Sequence, residues 1–172
     1  MFRHGGVLQG AESGKNLYYG GTTDGSGDMG LKDQLTGRLP ADLLPQVSDR
    51  FDVIGNIAVI ALPPGLRPYG KEIARTIVAR RKNIVTVVAK RSKIAGDSRT
   101  ALIDILWGDT TVTMHREYGL SFRLDVRTAF FSPRLASERK RVSGQVLPGE
   151  RVYVPFAGVG PFAIPAAARG AE

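Results

Sequence analysis

The chain has no cysteine among its 172 residues. That excludes disulfide scaffolds and thiolate metal sites, and it fits a reducing cytoplasm, the expected location. Only two histidines are present, and His115 alone falls in the part that reads as folded, so no metal centre is expected. No apolar run approaches the roughly 20 residues that a bilayer-spanning helix needs. The opening MFRHGGVLQG holds no apolar stretch of signal-peptide length either. Neither a membrane protein nor a secreted one is expected. Acidic residues are in deficit, 16 against 24 Lys and Arg, for a net charge of +8. The excess lies mostly in residues 51–131, with 13 basic and 7 acidic side chains, whereas residues 1–50 carry 5 and 6. A basic surface on a folded segment points to a polyanion such as nucleic acid.

Nine of the 21 glycines crowd into residues 1–30, which show neither helical nor strand periodicity and read as a flexible segment. Asp24, Ser26 and Asp28 alternate as in a calcium loop, but Met29 and Leu35 stand where that loop needs Gly and Glu. Residues 31–50 read as a connector broken by Gly37, Pro40 and Pro45. From Phe51, FDVIGNIAVIALP predicts a hairpin turning at Gly55-Asn56. PYGKEIARTIVARRKN then predicts an amphipathic helix, apolar along Ile73, Ala74, Ile77 and Val78 and basic on its outer face. Four β-like runs follow at 84–91, 101–108, 110–117 and 120–126, with the links Gly108-Asp109 and Tyr118-Gly119 predicting antiparallel hairpins. Residues 51–131 thus read as an α/β domain with a mainly antiparallel sheet and one covering helix.

Ser132-Pro133 is a helix-start signal, and the predicted helix runs to about Val146. After it, RVYVPFA predicts a buried strand and GPFAIPAAARG a small-residue helix, together the first β-α unit of a Rossmann-like domain. Gly158-x-Gly160 between them would let the backbone approach a cofactor, although a plain strand-to-helix turn needs the same glycines. Upstream, Arg134, Glu138 and Arg141 lie at helical spacing. They read either as a surface ion-pair ladder or as a carboxylate able to take a proton from a nucleobase among arginines that hold its carbonyl. His115, Trp107 and Tyr118 read as packing residues.

Five stretches in this order resemble the archaeal and eukaryotic tRNA guanosine-37 N1-methyltransferase family and its relative, the wyosine-pathway aminocarboxypropyl transferase. They are FDVIGNIAVIALP, YGKEIARTIVARRKNIVTVVAK, TMHREYGLSFRLDV, FFSPRLASERKRV and FAGVGPFAIPAAA, and FSPRLASER followed by FAGVGPF is the most specific pairing. The resemblance implies an RNA-facing α/β domain and then a class I methyltransferase domain that binds S-adenosyl-L-methionine at Phe156, Ala157, Gly158 and Gly160. It implies Glu138 as the proton-accepting carboxylate and Arg139 as its guanine-stabilising neighbour, with Arg134 in the same motif facing RNA. Arg99 falls one residue from the family's guanine-contacting arginine, and Phe130 stands where relatives often carry Tyr. Val154 and Pro155 replace an acidic residue and Met, and the family's second strand, with its ribose-binding acid, would follow Glu172.

The expected function is methyl transfer to N1 of guanosine 37 in tRNA by a C-terminally truncated family member, with the anticodon region of tRNA as partner. Three alternatives stay open: a non-catalytic tRNA-binding module, an aminocarboxypropyl transferase, and a split enzyme whose missing strands come from a separate chain.

Overall fold

The computed structural model describes residues 29–91 and 102–172. The glycine-rich segment with its calcium-like alternation and the expected guanine contact Arg99 both lie outside the described residues. The fold is α/β. Helix α1, Leu31–Gln34, precedes a 3-10 turn at Leu44–Gln46, and strands β1, Asp52–Ile54, and β2, Ile57–Ala61, form the expected hairpin. A 3-10 turn at Pro64–Tyr69 leads into α2, Gly70–Arg80. Ile73, Ala74 and Ile77 form its buried stripe, while Lys71, Arg75 and Arg80 are exposed, so the basic outer face is present. Glu72 in the first turn and Arg80 in the last complement the helix dipole.

Strand β3, Thr86–Lys90, returns parallel to β2, with Ala58 beside Val87 and Ile60 beside Ala89, because the α2 crossover gives the chain length enough to come back in the same direction. Strand β4, Ile103–Trp107, pairs antiparallel with β3, which completes a four-stranded sheet of order β1-β2-β3-β4. Strands β5, Val112–Glu117, and β6, Leu120–Asp125, form a separate two-stranded ribbon through the expected Tyr118-Gly119 turn.

The hairpin expected between the fourth and fifth β elements at Gly108-Asp109 is not formed. Gly108 has φ +78°, and a Cβ there would lie 2.5 Å from the Val85 carbonyl oxygen. This close left-handed crossing turns the chain out of the sheet before β5 begins.

Both faces of the four-stranded sheet are covered, which explains the nearly unbroken apolar runs of β2 and β3. Ala58, Ile60, Val87 and Ala89 pack with α2 on one side, joined by Leu31, Leu35, Leu39 and Val47 from the segment read as a connector. Ile57, Val59 and Val88 face the other way, against Phe122 and Leu124 of the ribbon and Phe131. The four-stranded sheet is therefore sandwiched between a helix and a ribbon.

Past the ribbon, a 3-10 turn at Pro133–Leu135 opens α3, Ala136–Ser143, and α4 spans Ala163–Ala167. Ser132 takes the expected start position but makes no side-chain cap hydrogen bond. The expected strand at 151–157 is absent: Tyr153 is 90% exposed and Phe156 fully exposed. A central parallel strand is held by ladders on both sides, and Pro155 has no amide to give one. The hydrogen bonds of this segment go instead to residues near Glu172, with the Val152 N–H donating to the Glu172 carbonyl at 3.3 Å and the Gly149 N–H to Gly170 at 2.7 Å.

Candidate RNA-facing site around helix α3

Alternation along β5 turns Thr113, His115 and Glu117 inward and leaves Val112, Met114 and Arg116 outside. Each inward polar side chain meets a different partner. The Thr113 hydroxyl donates to Asn56 Oδ1 at 2.8 Å and its oxygen accepts the Asn56 N–H at 3.2 Å. The Gly55 N–H donates to His115 Nδ1 at 3.1 Å, which puts the imidazole proton on Nε2, 3.4 Å from Glu117 Oε2. His115 is 2% exposed and tilts against Phe131 with ring centroids 4.8 Å apart, so the structural role expected for it holds.

Glu117 in turn receives Arg139 of α3 in a two-point fork, Nε to Oε1 at 2.5 Å and Nη2 to Oε2 at 2.7 Å. Arg139 Nη1 also donates to the Ser132 carbonyl at 3.1 Å, and the guanidinium carbon lies 4.7 Å from the Phe131 ring centre. Burial pushes the Glu117 carboxyl up, but the Arg139 hydrogen bonds and the neighbouring His115 outweigh it and hold the group below its ordinary range.

Arg139, expected from the resemblance to contact guanine, is thus 2% exposed and committed to Glu117. That commitment has a physical reason: a guanidinium leaving the site would strand a buried carboxylate. Neither Glu117 nor its fork was anticipated. The signal available was the period of two in TTVTMHRE, which puts three polar residues on the side of β5 that must be buried.

The other side chains of this segment face outward. Phe130 is 54% exposed. Arg134 donates through Nε to Asp52 at 2.8 Å and keeps a 61% exposed side chain. Glu138, 45% exposed, is forked by Arg141 at 2.8 and 2.7 Å, and the Arg141 hydrogen bond holds its carboxyl below the usual range. Of the expected site residues, then, Phe130, Arg134 and Glu138 lie on accessible surface while Arg139 is buried. Trp107 and Tyr118, expected as packing residues, are 43% and 49% exposed, and Lys140 Nζ lies 4.8 Å from the Tyr118 ring centre.

Helix α4 touches α3 and brings the glycine turn with it. Phe156, Gly158 and Gly160 have φ of +54°, +56° and +74°, and the Gly160 N–H closes onto the Ala157 carbonyl at 2.8 Å. A Cβ on Gly158 would meet nothing within 4 Å, whereas one on Gly160 would press on Ile164 Cγ1 at 3.0 Å. The turn is therefore open on the Gly158 side, which leaves room for a group to approach its backbone. A second cleft, of about 830 Å³, lies where the Gly55-Asn56 turn meets β5, and Arg81, Arg116, Arg123 and Asn83 line it. Among the described residues no group of His, Asp and Glu could hold a metal ion, and no helix is long and apolar enough to cross a membrane.

An α/β domain with a basic cleft, joined through SPRLASER to a glycine turn, is the class of fold that these residues define. Family comparison is consistent with that class: residues 31–111 match the TYW2 N-terminal domain and residues 113–172 the TRM5/TYW2 methyltransferase domain. The chain belongs to the TRM5/TYW2 family. It is 49% identical over 127 residues to the tRNA (guanine(37)-N(1))-methyltransferase Trm5b of Pyrococcus abyssi, covering 73% of this chain and 38% of that protein. It is 34% identical over 140 residues to the tRNA(Phe) (4-demethylwyosine(37)-C(7)) aminocarboxypropyltransferase of Pyrococcus horikoshii, covering 81% and 50%. Among solved structures, P. abyssi Trm5b superposes with a TM-score of 0.67 at 45% identity over 76% of this chain and 40% of that one. P. horikoshii TYW2 in complex with MeSAdo gives 0.66 at 31% identity over 83% and 50%. The complex of aTrm5 and tRNALeu gives 0.70 at 26% identity over 80% and 42%. The chain spans about two-fifths to one-half of the length of these relatives.

Proposed function

We propose that this chain forms the tRNA-facing part of an S-adenosylmethionine-dependent transferase acting on guanosine 37, with methyl transfer to N1 as the leading reaction. The observation that carries the reading is the outward face of the SPRLASER segment, where the Glu138 carboxylate is kept ionised beside Arg141 and Arg134 lies one turn away. An ionised carboxylate accepts a proton, and Glu138 would take the one on guanine N1. In the bound state the base would draw Arg141 off the carboxylate, raising the affinity of Glu138 for that proton. Arg134 would hold the guanine carbonyl oxygen or the neighbouring phosphate, and the exposed Phe130 ring would stack on a base. Arg139 acts from below as the anchor of α3.

Phe156, Ala157, Gly158 and Gly160 would hold S-adenosyl-L-methionine, which supplies an electrophilic methyl group when bound. The open Gly158 side of the turn suits such a group, and the solved relative with MeSAdo supports the assignment. Arg81, Arg116 and Arg123 at the basic cleft would meet backbone phosphates, a reading supported by the relative solved with tRNALeu.

The test is tRNA binding by the chain across a salt series, followed by analysis of nucleoside 37 after incubation with S-adenosyl-L-methionine. Neutralising three phosphates gives a slope of log K against log salt of roughly −2 to −3, from about 0.7–0.9 per contact. Nanomolar to micromolar binding with that slope supports the proposal, and no binding at low salt refutes it. The mass of nucleoside 37 separates methyl from aminocarboxypropyl transfer. A second reading, a tRNA-binding module without catalysis, draws on the exposed and unladdered 151–157 segment; salt-sensitive binding with no change at nucleoside 37 is its signature.

A further inference from the structure

We propose that Glu117 is a positioning residue for the Glu138 face, acting through Arg139 to fix the rotation of α3, with His115 bracing Glu117 from the other side. The inference rests on the reading of that face as the guanine-acting one. Helix α3 is eight residues long, and Ala136 and Arg139 are its only buried side chains. Within the helix, Ala136 and the half-buried Val142 make only a short apolar stripe, so the Arg139 fork adds to what sets which way this helix faces. Successive helical residues are separated by about 100°. Whatever holds residue 139 inward therefore holds residue 138 toward solvent.

The fork between Arg139 and Glu117 is suited to that task. Two parallel N–H···O bonds fix both the distance and the plane of the guanidinium, which a single point charge cannot do. The Ser132 carbonyl and the Phe131 ring contact the same guanidinium from the segment that leads into α3. At the far end, His115 links Glu117 to the Gly55 amide, so the position of α3 is referred through β5 to the β1–β2 turn.

Stability alone is a poor reason for this arrangement. Replacing a buried ion pair by apolar side chains of similar volume is often neutral or stabilising. Strand β6 shows what packing alone would select, since its inward residues at the same interface are Leu120, Phe122 and Leu124. Polar side chains along β5 instead favour one geometry among several that would pack.

The experiment compares the unsubstituted chain with Glu117→Gln and with the double variant Glu117→Leu/Arg139→Met. Four quantities are followed: hydrogen exchange of the α3 amides without RNA, exchange of the arginine Nε–H groups, the urea midpoint, and tRNA affinity. In the unsubstituted chain the Arg139 Nε–H should exchange at least tenfold more slowly than that of the exposed Arg134. Equal rates overturn the proposal without any variant being made. In the double variant the urea midpoint should match or exceed the original while α3 exchange rises at least tenfold and tRNA affinity falls at least tenfold. A double variant that recovers stability, α3 protection and tRNA affinity together shows a merely structural pair and overturns the proposal. Should the double variant not fold, unchanged α3 protection in Glu117→Gln does the same. Failure of the unsubstituted chain to bind tRNA sinks the functional reading instead and leaves the α3 measurements interpretable.

Discussion

Replacing Gly55 by Ala should destabilise the chain far more than the same change at Gly119, although both glycines have left-handed φ, +58° and +80°. The conformational part is shared: a side chain at positive φ costs about 1–2 kcal/mol. The surroundings differ. A Cβ on Gly119 meets nothing within 4 Å, whereas one on Gly55 would lie 2.1 Å from Thr113 Oγ1 and 2.7 Å from the Met114 carbonyl oxygen. The hydroxyl can rotate away, but the carbonyl belongs to the β5 ladder and cannot, so the turn must retreat from the ribbon. That retreat breaks the Gly55–His115 bond at 3.1 Å and the two bonds joining Asn56 to Thr113 at 3.2 and 2.8 Å, each worth about 1 kcal/mol net. Gly55→Ala should therefore cost roughly 4–5 kcal/mol in all, and Gly119→Ala about 1–2 kcal/mol. In urea titrations with a slope of about 1–3 kcal/mol/M, the midpoint of Gly55→Ala should fall at least about 1 M below that of Gly119→Ala. Equal midpoints would refute the claim that the turn is docked tightly on the ribbon.

Two further outcomes are expected. The Glu117 carboxyl is held below its ordinary value in the folded chain, so its contribution to stability is complete above the unfolded carboxylate range and lost as pH falls through the folded value. The Tm should hold level from about pH 7 to 5 and drop below about pH 4.5, and the drop should be shallower in Glu117→Gln; parallel profiles would contradict this. Thr86 is fully buried, and its Oγ1 has no hydrogen-bond partner. Thr86→Val, of nearly the same shape, should be neutral or stabilising by up to about 1 kcal/mol in chemical denaturation, and a loss larger than that would reveal a partner for the hydroxyl.

Local chemistry in the sequence was legible where it was self-contained. Gly55-Asn56 specifies its own turn, Ile73, Ala74 and Ile77 their own helix face, and Tyr118-Gly119 its own ribbon. Elements that depend on distant partners were not. Alternation marks 101–108 and 110–117 as strands without saying whether they share a sheet, and the close approach of Gly108 to Val85 decides that they do not. RVYVPFA has the composition of a central strand, but a strand exists only with a ladder, and none forms among the described residues.

The site divides in the same way. Helical spacing grouped Arg134, Glu138 and Arg141, and the Glu138–Arg141 pair is local as that spacing allows. Asp52 lies 82 residues from Arg134 and Glu117 lies 22 from Arg139, and no periodicity links such positions. The two arginines of SPRLASER, one buried and one exposed, are thus each paired with a carboxylate of the α/β domain, a relation visible only in three dimensions.

The inward polar row of β5 has a consequence for how this polypeptide can be divided. A cut near residue 112, where the two family matches meet, would strip the ribbon from the sheet and bare Ile54, Ile57, Val59 and Val88. A cut after Phe131 would keep the ribbon but leave the Glu117 carboxylate buried without its cation, at a cost of about 3–5 kcal/mol. Neither cut yields two sound halves. The α/β domain and α3 are consequently one folding unit, and exchanging either for that of another protein would have to carry Glu117 and Arg139 across together.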